Sequence, residues 1–140
     1  MRPEKVLVVD DHRDILELLT TQLGLLGWEA VPASSGQEAL EKLKGVTPRL
    51  ILLDMRMPEM DGFEFVRYLR RNPDHRDIPI LAVTALAMPG DREHCLKVGC
   101  DDCISKPFTL QDLQQRLTFL MSASNPCTQV CQVKQNGQER

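Results

Sequence analysis

The chain has 140 residues, of which 42% are hydrophobic and 26% charged, a composition ordinary for one globular domain with a hydrophobic core. Its formal net charge of −3 gives no electrostatic reason to expect nucleic acid or an anionic membrane as a partner. No apolar run is long enough to cross a bilayer and no signal-peptide core follows Met1, so we expect a cytoplasmic protein whose five cysteines are thiols.

Short apolar runs alternate with helical patterns along the chain. Strands are predicted at residues 5–9, 28–31, 50–53, 78–83 and 103–105. Apolar residues spaced by three and four predict helices at residues 14–26, 37–44, 63–71, 89–98 and 110–120. Because the connections are too short for anything but crossovers, this alternation predicts an α/β fold, in which a parallel sheet carries helices on both faces.

The remaining segments are predicted to be irregular. Residues 32–36 are expected to form a loop and residues 57–62 a turn, because proline and glycine punctuate both. Residues 122–140 are polar and lack apolar periodicity, which predicts a disordered tail after one domain spanning residues 1–121. The arginines of the third helix, at 67, 70 and 71, are expected to form a solvated face and not a nucleic-acid site.

The chemically informative residues follow the predicted strands. Asp10 and Asp11 come after the first strand, Asp54 after the third, Thr84 after the fourth and Lys106 after the fifth. Because open α/β sheets bind ligands at the carboxyl ends of their strands, these side chains are expected to meet at one edge. Taken singly, each has a simpler explanation as a helix cap, a strand end or a surface charge.

Together, these residues suit phosphoryl transfer. Three carboxylates at one place repel each other, and a hard cation such as Mg²⁺ relieves that repulsion. A lysine and a small hydroxyl beside the acids would provide a positive charge and a hydrogen bond for a phosphoryl group. The set therefore indicates in-line transfer onto Asp54, with its carboxylate as the nucleophile.

Four segments in combination resemble the receiver domain of two-component response regulators, in particular the single-domain chemotaxis type. They are VLVVDD at 6–11, LILLDMRMPEMDG at 50–62, Thr84-Ala85, and SKPF at 105–108. The resemblance covers residues 5 to about 121. It implies a flavodoxin-like fold, with a doubly wound five-stranded parallel sheet in the order 2-1-3-4-5 and five helices.

The resemblance implies a role for each residue that would contact the phosphoryl group. Asp54 would accept it from a histidine kinase or a histidine phosphotransfer protein. Thr84 and Lys106 would bind its oxygens, and a cis peptide bond before Pro107 would aim the lysine. Such a domain catalyses only its own phosphorylation and dephosphorylation, so it is not classed as an enzyme. Its output would be a changed interaction with a target protein, made by a monomer or weak dimer.

The resemblance also implies a magnesium site. Asp11 and Asp54 would bind Mg²⁺ directly, together with the main-chain carbonyl of Arg56. Asp10 would act through a water molecule. No other cofactor is implied.

Two positions depart from the usual receiver pattern. Receivers usually carry Tyr or Phe three residues before the lysine, where this chain has Cys103, so we expect the fourth helix to carry more of the signal. The side chain of Arg56, two residues after Asp54, cannot act as a base toward an attacking water, and its bulk would exclude that water. We therefore expect slow self-dephosphorylation.

Several functions remain open from the sequence. One is a stand-alone switch that binds a target protein, and another is a phosphorelay intermediate or a receiver belonging to a hybrid kinase. These 140 residues contain no recognisable DNA-binding or catalytic output domain, so a transcription factor or effector enzyme is not expected. A different class, a redox-sensing interaction domain, rests on Cys100 and Cys103, but a redox pair normally precedes a helix and this one enters a strand.

Overall fold

Five apolar segments form one parallel sheet. The computed structural model describes residues 4–57, 60–84, 90–105 and 108–122. The strands are β1 (Lys5–Val9), β2 (Glu29–Ala33), β3 (Leu50–Asp54), β4 (Ile80–Thr84) and β5 (Asp102–Ser105). They pair in parallel in the order β2-β1-β3-β4-β5, which confirms the predicted topology.

Four helices connect these strands and a fifth follows β5. They are α1 (Arg13–Leu25), α2 (Gly36–Gly45), α3 (Gly62–Arg71), α4 (Asp91–Val98) and α5 (Leu110–Ser122). Thr109 precedes α5, and its Oγ1 accepts a hydrogen bond from the backbone N–H of Asp112 at 3.0 Å, as an N-cap side chain does. None of the described helices combines the length and apolar character that crossing a bilayer requires.

Both faces of the sheet are covered, because successive side chains of a strand point to opposite sides. On β3, Ile51 and Leu53 belong to the core beneath α2, α3 and α4, while Leu50 and Leu52 belong to the core beneath α1 and α5. All five residues of β3 are buried. This double covering explains why the strand reads as a continuous apolar run ending at Asp54.

The structure corrects two local predictions. Pro32, expected in a loop, lies within β2 opposite Val8, because β2 is an edge strand and needs no donor on its outer side. The predicted turn after β3 contains two short antiparallel strands, Arg56–Met57 and Met60–Asp61. The proline–glycine signal alone does not specify that these two segments pair as strands.

Arg70 is a third correction. Its guanidinium group does not form part of a solvated face but donates hydrogen bonds to the carbonyls of Arg76, Ile78 and Gly99 and to the carboxylate of Asp101. The side chain is 21% exposed. It joins the end of α3 to the segment before β4 and to the segment between α4 and β5, a role that periodicity along one helix does not reveal.

The ends of two predictions lie outside the described residues. α4 begins at Asp91 with Gly90 as its N-cap, and Pro89 is not described. α5 includes Ser122, the first residue of the predicted tail, and the remainder of that tail is also outside the described part of the chain.

Candidate functional site

The predicted acids meet at the carboxyl edge of the sheet. β1 and β3 pair with Val9 opposite Leu53, so the next residues, Asp10 and Asp54, lie side by side at the strand ends. Asp10 is 1% exposed and Asp54 4% exposed. One ligand atom from each of Asp10, Asp11, His12 and Asp54 lies within 4.8 Å of the others. The strand-end rule therefore brings all three predicted carboxylates to one place.

Of the predicted hydroxyl and lysine residues, the structure describes Thr84 but not Lys106. Thr84 is buried at the end of β4, the strand next to β3, and it pairs in register with Ser105 of β5. Lys106 and Pro107 lie outside the described residues. The structure therefore places four of the five strand-end residues.

One oxygen of Asp11 lacks a hydrogen bond. The Oδ1 atom of Asp11 is buried and accepts none from the described residues. A buried carboxylate oxygen without a partner is costly, and a hard divalent cation is a ligand that would satisfy it. Together with the carboxylates of Asp10 and Asp54, this orphaned atom makes the residues at this edge fit Mg²⁺.

His12 belongs to the same cluster, and sequence reasoning missed it. Its backbone N–H donates to Oδ1 of Asp10 at 2.8 Å, and its ring Nδ1 lies within hydrogen-bond distance of the same oxygen, at 3.1 Å. Nδ1 also lies 3.2 Å from Oδ1 of Asp11. The available signal was positional, because His12 follows the acidic pair and precedes the first turn of α1.

The segment after Asp54 is held close to the sheet. Met55 N–H donates to the carbonyl of Val83 at 3.1 Å, and a Cβ atom added to Gly62 would lie 2.7 Å from Cα of Met55. Only glycine allows this approach. Asp61 then begins α3 by accepting a hydrogen bond from the N–H of Phe63 at 2.9 Å. The Asp-Gly pair thus fixes the chain next to Asp54.

The structure bears on only part of the role implied for Arg56. Its backbone lies in the short strand Arg56–Met57, directly after Asp54 and Met55, which leaves it near the acids. Its side chain is outside the described part of the chain, so the expectation of slow dephosphorylation stays a prediction.

A second polar cluster lies around β5. Asp102 is 5% exposed, and its two carboxylate oxygens contact Arg92 of α4 at 2.9 Å and Arg116 of α5 at 2.8 Å. Arg92 also donates to the carbonyl of Cys103 at 3.1 Å. Sequence reasoning did not identify this group, which links both helices to the strand that carries the unusual Cys103.

Three buried cysteines lie in α4 or between α4 and the end of β5. Cys95, Cys100 and Cys103 belong to one core cluster. Burial raises the pKa of Cys100 to about 12 and also raises the pKa of Cys103. Because the thiolate is the reactive form, this environment does not favour redox chemistry at Cys100 and Cys103.

The sequence matches known proteins over most of its length. The response regulator receiver domain family matches residues 6–118. A probable transcriptional regulator, ycf27, of Porphyridium aerugineum is 39% identical over 121 residues, which are 86% of this chain and 49% of that protein. The response regulator MprA of Mycolicibacterium vanbaalenii is 38% identical over 124 residues, 89% of this chain and 53% of that protein. The chain therefore spans about half the length of these curated relatives.

Solved structures agree with this match. The chemotaxis response regulator CheY4 of Vibrio cholerae is 33% identical with a TM-score of 0.78, covering 84% of this chain and 98% of CheY4. The signal receiver domain of a signal transduction histidine kinase from Syntrophus aciditrophicus is also 33% identical, with a TM-score of 0.79, covering 94% of this chain and 98% of that domain. With the family match across the whole sheet and the acids at its carboxyl edge, the chain belongs to the response regulator receiver domain family.

Proposed function

We propose that this chain is a phosphorylation switch in which Asp54 accepts a phosphoryl group, with Mg²⁺ bound, from a histidine kinase or histidine phosphotransfer protein. The phosphorylated form would then bind a different protein surface or bind the same one with changed affinity. The observation that carries the proposal is the convergence of Asp10, Asp11 and Asp54 at one edge of the sheet, with one oxygen of Asp11 left unsatisfied.

Asp54 is the residue suited to act as the nucleophile. It ends the central strand β3 at the open carboxyl edge, between the acids after β1 and Thr84 of β4. An oxygen of its carboxylate would attack phosphorus as the P–N bond of the donor phosphohistidine breaks, and the electron pair of that bond would return to the imidazole.

The surrounding residues would bind the transferred group and offset its charge. Asp11, Asp54 and the carbonyl of Arg56 would hold Mg²⁺, with Asp10 acting through water. Bound Mg²⁺ supplies positive charge against the carboxylates and the phosphoryl oxygens. The Thr84 hydroxyl would donate a hydrogen bond to a phosphoryl oxygen, and Lys106 would place an ammonium group beside it. The domain would catalyse only its own phosphorylation and dephosphorylation.

The output of the switch would run through α4. Cys103 is too small to change position as an aromatic ring does. Arg92 instead connects α4 to the carbonyl of Cys103 and to Asp102. A movement at the end of β4 would therefore be transmitted to α4 through this guanidinium group. The amide chemical shifts of residues 90–105 should change on phosphorylation. Unchanged shifts there would refute this route.

The primary test is direct phosphorylation of the purified chain. With acetyl phosphate and Mg²⁺, we expect the intact mass to increase by one phosphoryl group, and beryllofluoride to alter the amide spectrum. Asp54→Asn is the matched variant and should show neither effect. A folded wild-type chain that gains no mass from acetyl phosphate or from phosphorylated histidine donors would overturn the proposal.

A phosphorelay intermediate is the second candidate function. The likeness to a receiver domain of a histidine kinase, which covers 94% of this chain, favours including it. Radiolabelled phosphoprotein should then pass its label to a histidine phosphotransfer domain, whereas a terminal switch should keep it. The curated relatives named above are regulators about twice as long as this chain. Any activity beyond that of the receiver domain is therefore also only proposed.

Arg56 is expected to lengthen the life of the phosphorylated form. A guanidinium group beside the aspartyl phosphate would pair with its oxygens and exclude water. We expect Arg56→Asn to lose phosphate several-fold to about tenfold faster than wild type, since general-base and water-positioning effects are at least that large. The measurement is the decay of the phosphorylated mass with time, and faster decay in wild type would contradict it.

A further inference from the structure

The ring of His12 lies between two of the acids at the sheet edge. Its Nδ1 atom is 3.1 Å from Oδ1 of Asp10 and 3.2 Å from Oδ1 of Asp11. Only the first of these contacts is a hydrogen bond, and Oδ1 of Asp11 remains unsatisfied. Nδ1 therefore lies within ion-pair distance of two carboxylates, and one of the two oxygens, Oδ1 of Asp11, accepts no hydrogen bond from the described residues.

Helix capping does not explain the ring position either. His12 is the N-cap residue of α1, but its side chain makes no capping hydrogen bond to the first turn. Its backbone N–H already donates to Asp10. The ring therefore turns toward the carboxylates and not toward the helix amides.

The spacing of these atoms matches adjacent ligands of one cation. Ligand atoms about 2.1 Å from an octahedral ion lie about 3.0 Å apart when they occupy neighbouring positions. The separation between Nδ1 of His12 and Oδ1 of Asp11, the acid expected to bind the cation directly, is 3.2 Å and close to this value. The ligand atoms of Asp10, Asp11, His12 and Asp54 also share a volume less than 4.8 Å across.

We propose that Nδ1 of His12 is a direct ligand of the divalent cation, in a position that water would otherwise fill. The inference rests on the metal site of the proposed function and adds one nitrogen to its oxygen ligands. In the metal-bound form the imidazole is neutral and carries its proton on Nε2. The side chain is 64% exposed, so that N–H can be hydrated.

A nitrogen ligand changes which cation the site prefers. Mg²⁺ favours oxygen ligands and releases its waters reluctantly, whereas imidazole suits first-row transition metals. The site should therefore favour Mn²⁺ over Mg²⁺ more strongly than an all-oxygen site would. In His12→Gln the amide oxygen can replace the ring nitrogen, and this preference should fall.

The decisive measurement is electron spin echo envelope modulation of Mn²⁺ bound to the full chain. We expect ¹⁴N modulation typical of a coordinated imidazole in wild type, and its replacement by the ¹⁵N pattern when only histidine is ¹⁵N-labelled. The signal should disappear in His12→Gln and persist in His75→Gln, whose imidazole lies at the opposite end of the sheet, before β4. A residue that only oriented Asp10 would give no such modulation.

Titration calorimetry measures the effect of the nitrogen ligand on the affinity for each cation. Loss of the nitrogen ligand should weaken Mn²⁺ binding about tenfold in His12→Gln and change Mg²⁺ binding by less than about threefold. Bound Mn²⁺ without histidine modulation would overturn the inference, as would equal losses for both cations. If Mg²⁺ still bound in an Asp54-dependent manner, the proposed function would survive either result. A wild-type chain that bound neither cation would overturn both.

Discussion

Two regions of this molecule bury carboxylates, and they do so differently. Around β5, Asp102 is 5% exposed and contacts one guanidinium group from α4 and one from α5. At the carboxyl edge of β1 and β3, Asp10 and Asp54 are as deeply buried, but they cluster with a further acid, Asp11, one of whose oxygens is unsatisfied. A buried charge needs a partner. At Asp102 both carboxylate oxygens contact guanidinium groups of the protein, whereas at the acidic edge Oδ1 of Asp11 accepts no hydrogen bond from the described residues, and a cation would satisfy it.

The comparison separates a structural role from a functional one within a single sheet. The Asp102 group links α4, β5 and α5, and its contacts are complete without any added ion. The acidic edge is positioned by strand ends and by the close packing of Gly62 on Met55. Burial of an acidic residue therefore does not by itself point to a metal site in this fold, whereas an unsatisfied oxygen among several acids supports the proposed one.

The largest expected effect tests the difference between the acidic edge and the Asp102 group directly. Asp54→Asn should abolish the gain of a phosphoryl group from acetyl phosphate, because the amide cannot act as the nucleophile. Asp102→Asn should retain that gain, although it removes one charge from a pair of arginines and should lower the free energy of unfolding by about 2 kcal/mol. Intact mass and urea denaturation measure the two quantities.

Asp77→Asn is the control for stability, since Asp77 is exposed in the segment before β4. Its free energy of unfolding should stay within about 0.5 kcal/mol of wild type. Loss of phosphorylation in a folded Asp102→Asn chain would show that the two regions are not independent.

The buried thiols provide the next largest effect. With its pKa raised to about 12 by burial, Cys100 should carry about three orders of magnitude less thiolate at neutral pH than an exposed cysteine with a pKa of about 8.5. Iodoacetamide labelling of native Cys100 should therefore be correspondingly slow and should rise about tenfold per pH unit between pH 7 and pH 9. Peptide mass spectrometry gives the rate at this residue.

Denatured protein provides the reference for this measurement. There the labelling rate of Cys100 should level off near the ordinary cysteine pKa of about 8.5. Native labelling as fast as denatured labelling would restore the redox alternative for Cys100 and Cys103.

Substitution of Gly62 tests how the backbone beside the acidic edge is held in place. In Gly62→Ala the new Cβ would lie 2.7 Å from Cα of Met55, so the backbone beside Asp54 must move. We expect a loss of about 1–3 kcal/mol in the free energy of unfolding, together with slower phosphorylation by acetyl phosphate. Urea denaturation and the rate of mass gain provide the two measurements.

Gly24→Ala is the matched control for this substitution. Nothing lies within 4 Å of a Cβ added at Gly24 in α1, and alanine is favoured over glycine in a helix by up to about 1 kcal/mol. This variant should be slightly more stable than wild type, with an unchanged rate of phosphorylation. Equal losses in both variants would argue against a specific contact between Gly62 and Met55.

The smallest effect concerns an exposed carboxylate, Glu38, as a contrast with the buried ones. Hydrogen bonds from the backbone and the side chain of Ser34 lower the pKa of Glu38 below its ordinary value of 4.5. Because the folded pKa is lowered, the stabilisation is present above pH 4.5 and is lost as the pH falls through the folded pKa. Glu38→Gln should cost about 0.5 kcal/mol at neutral pH, as expected for a solvent-screened cap.

The measurement is the difference in free energy of unfolding between wild type and Glu38→Gln, taken at neutral and at acidic pH. That difference should shrink as the pH falls through the folded pKa of Glu38, and it should vanish once Glu38 is protonated in both states. A difference that stayed constant across this range would indicate a packing effect and not an effect of charge.

The succession of strands and helices along the chain could be predicted from local patterns in the sequence. β3 could be predicted because a strand buried on both faces reads as an unbroken apolar run, and Asp54 is where that run ends. The convergence of Asp10, Asp11 and Asp54 followed because parallel strands end at the same edge. These inferences need only periodicity and connectivity, both of which are written along the chain.

Contacts between distant segments could not be inferred in this way. Pro32 is accommodated because β2 lies at the edge of the sheet, and Asp102 of β5 pairs with Arg116, 14 residues later in α5. The turn of the His12 ring toward the acids, away from the helix amides, depends on where the end of β1 meets the start of α1. Such partners are chosen by packing in three dimensions, because a side chain's neighbours across the sheet leave no periodic trace in the sequence.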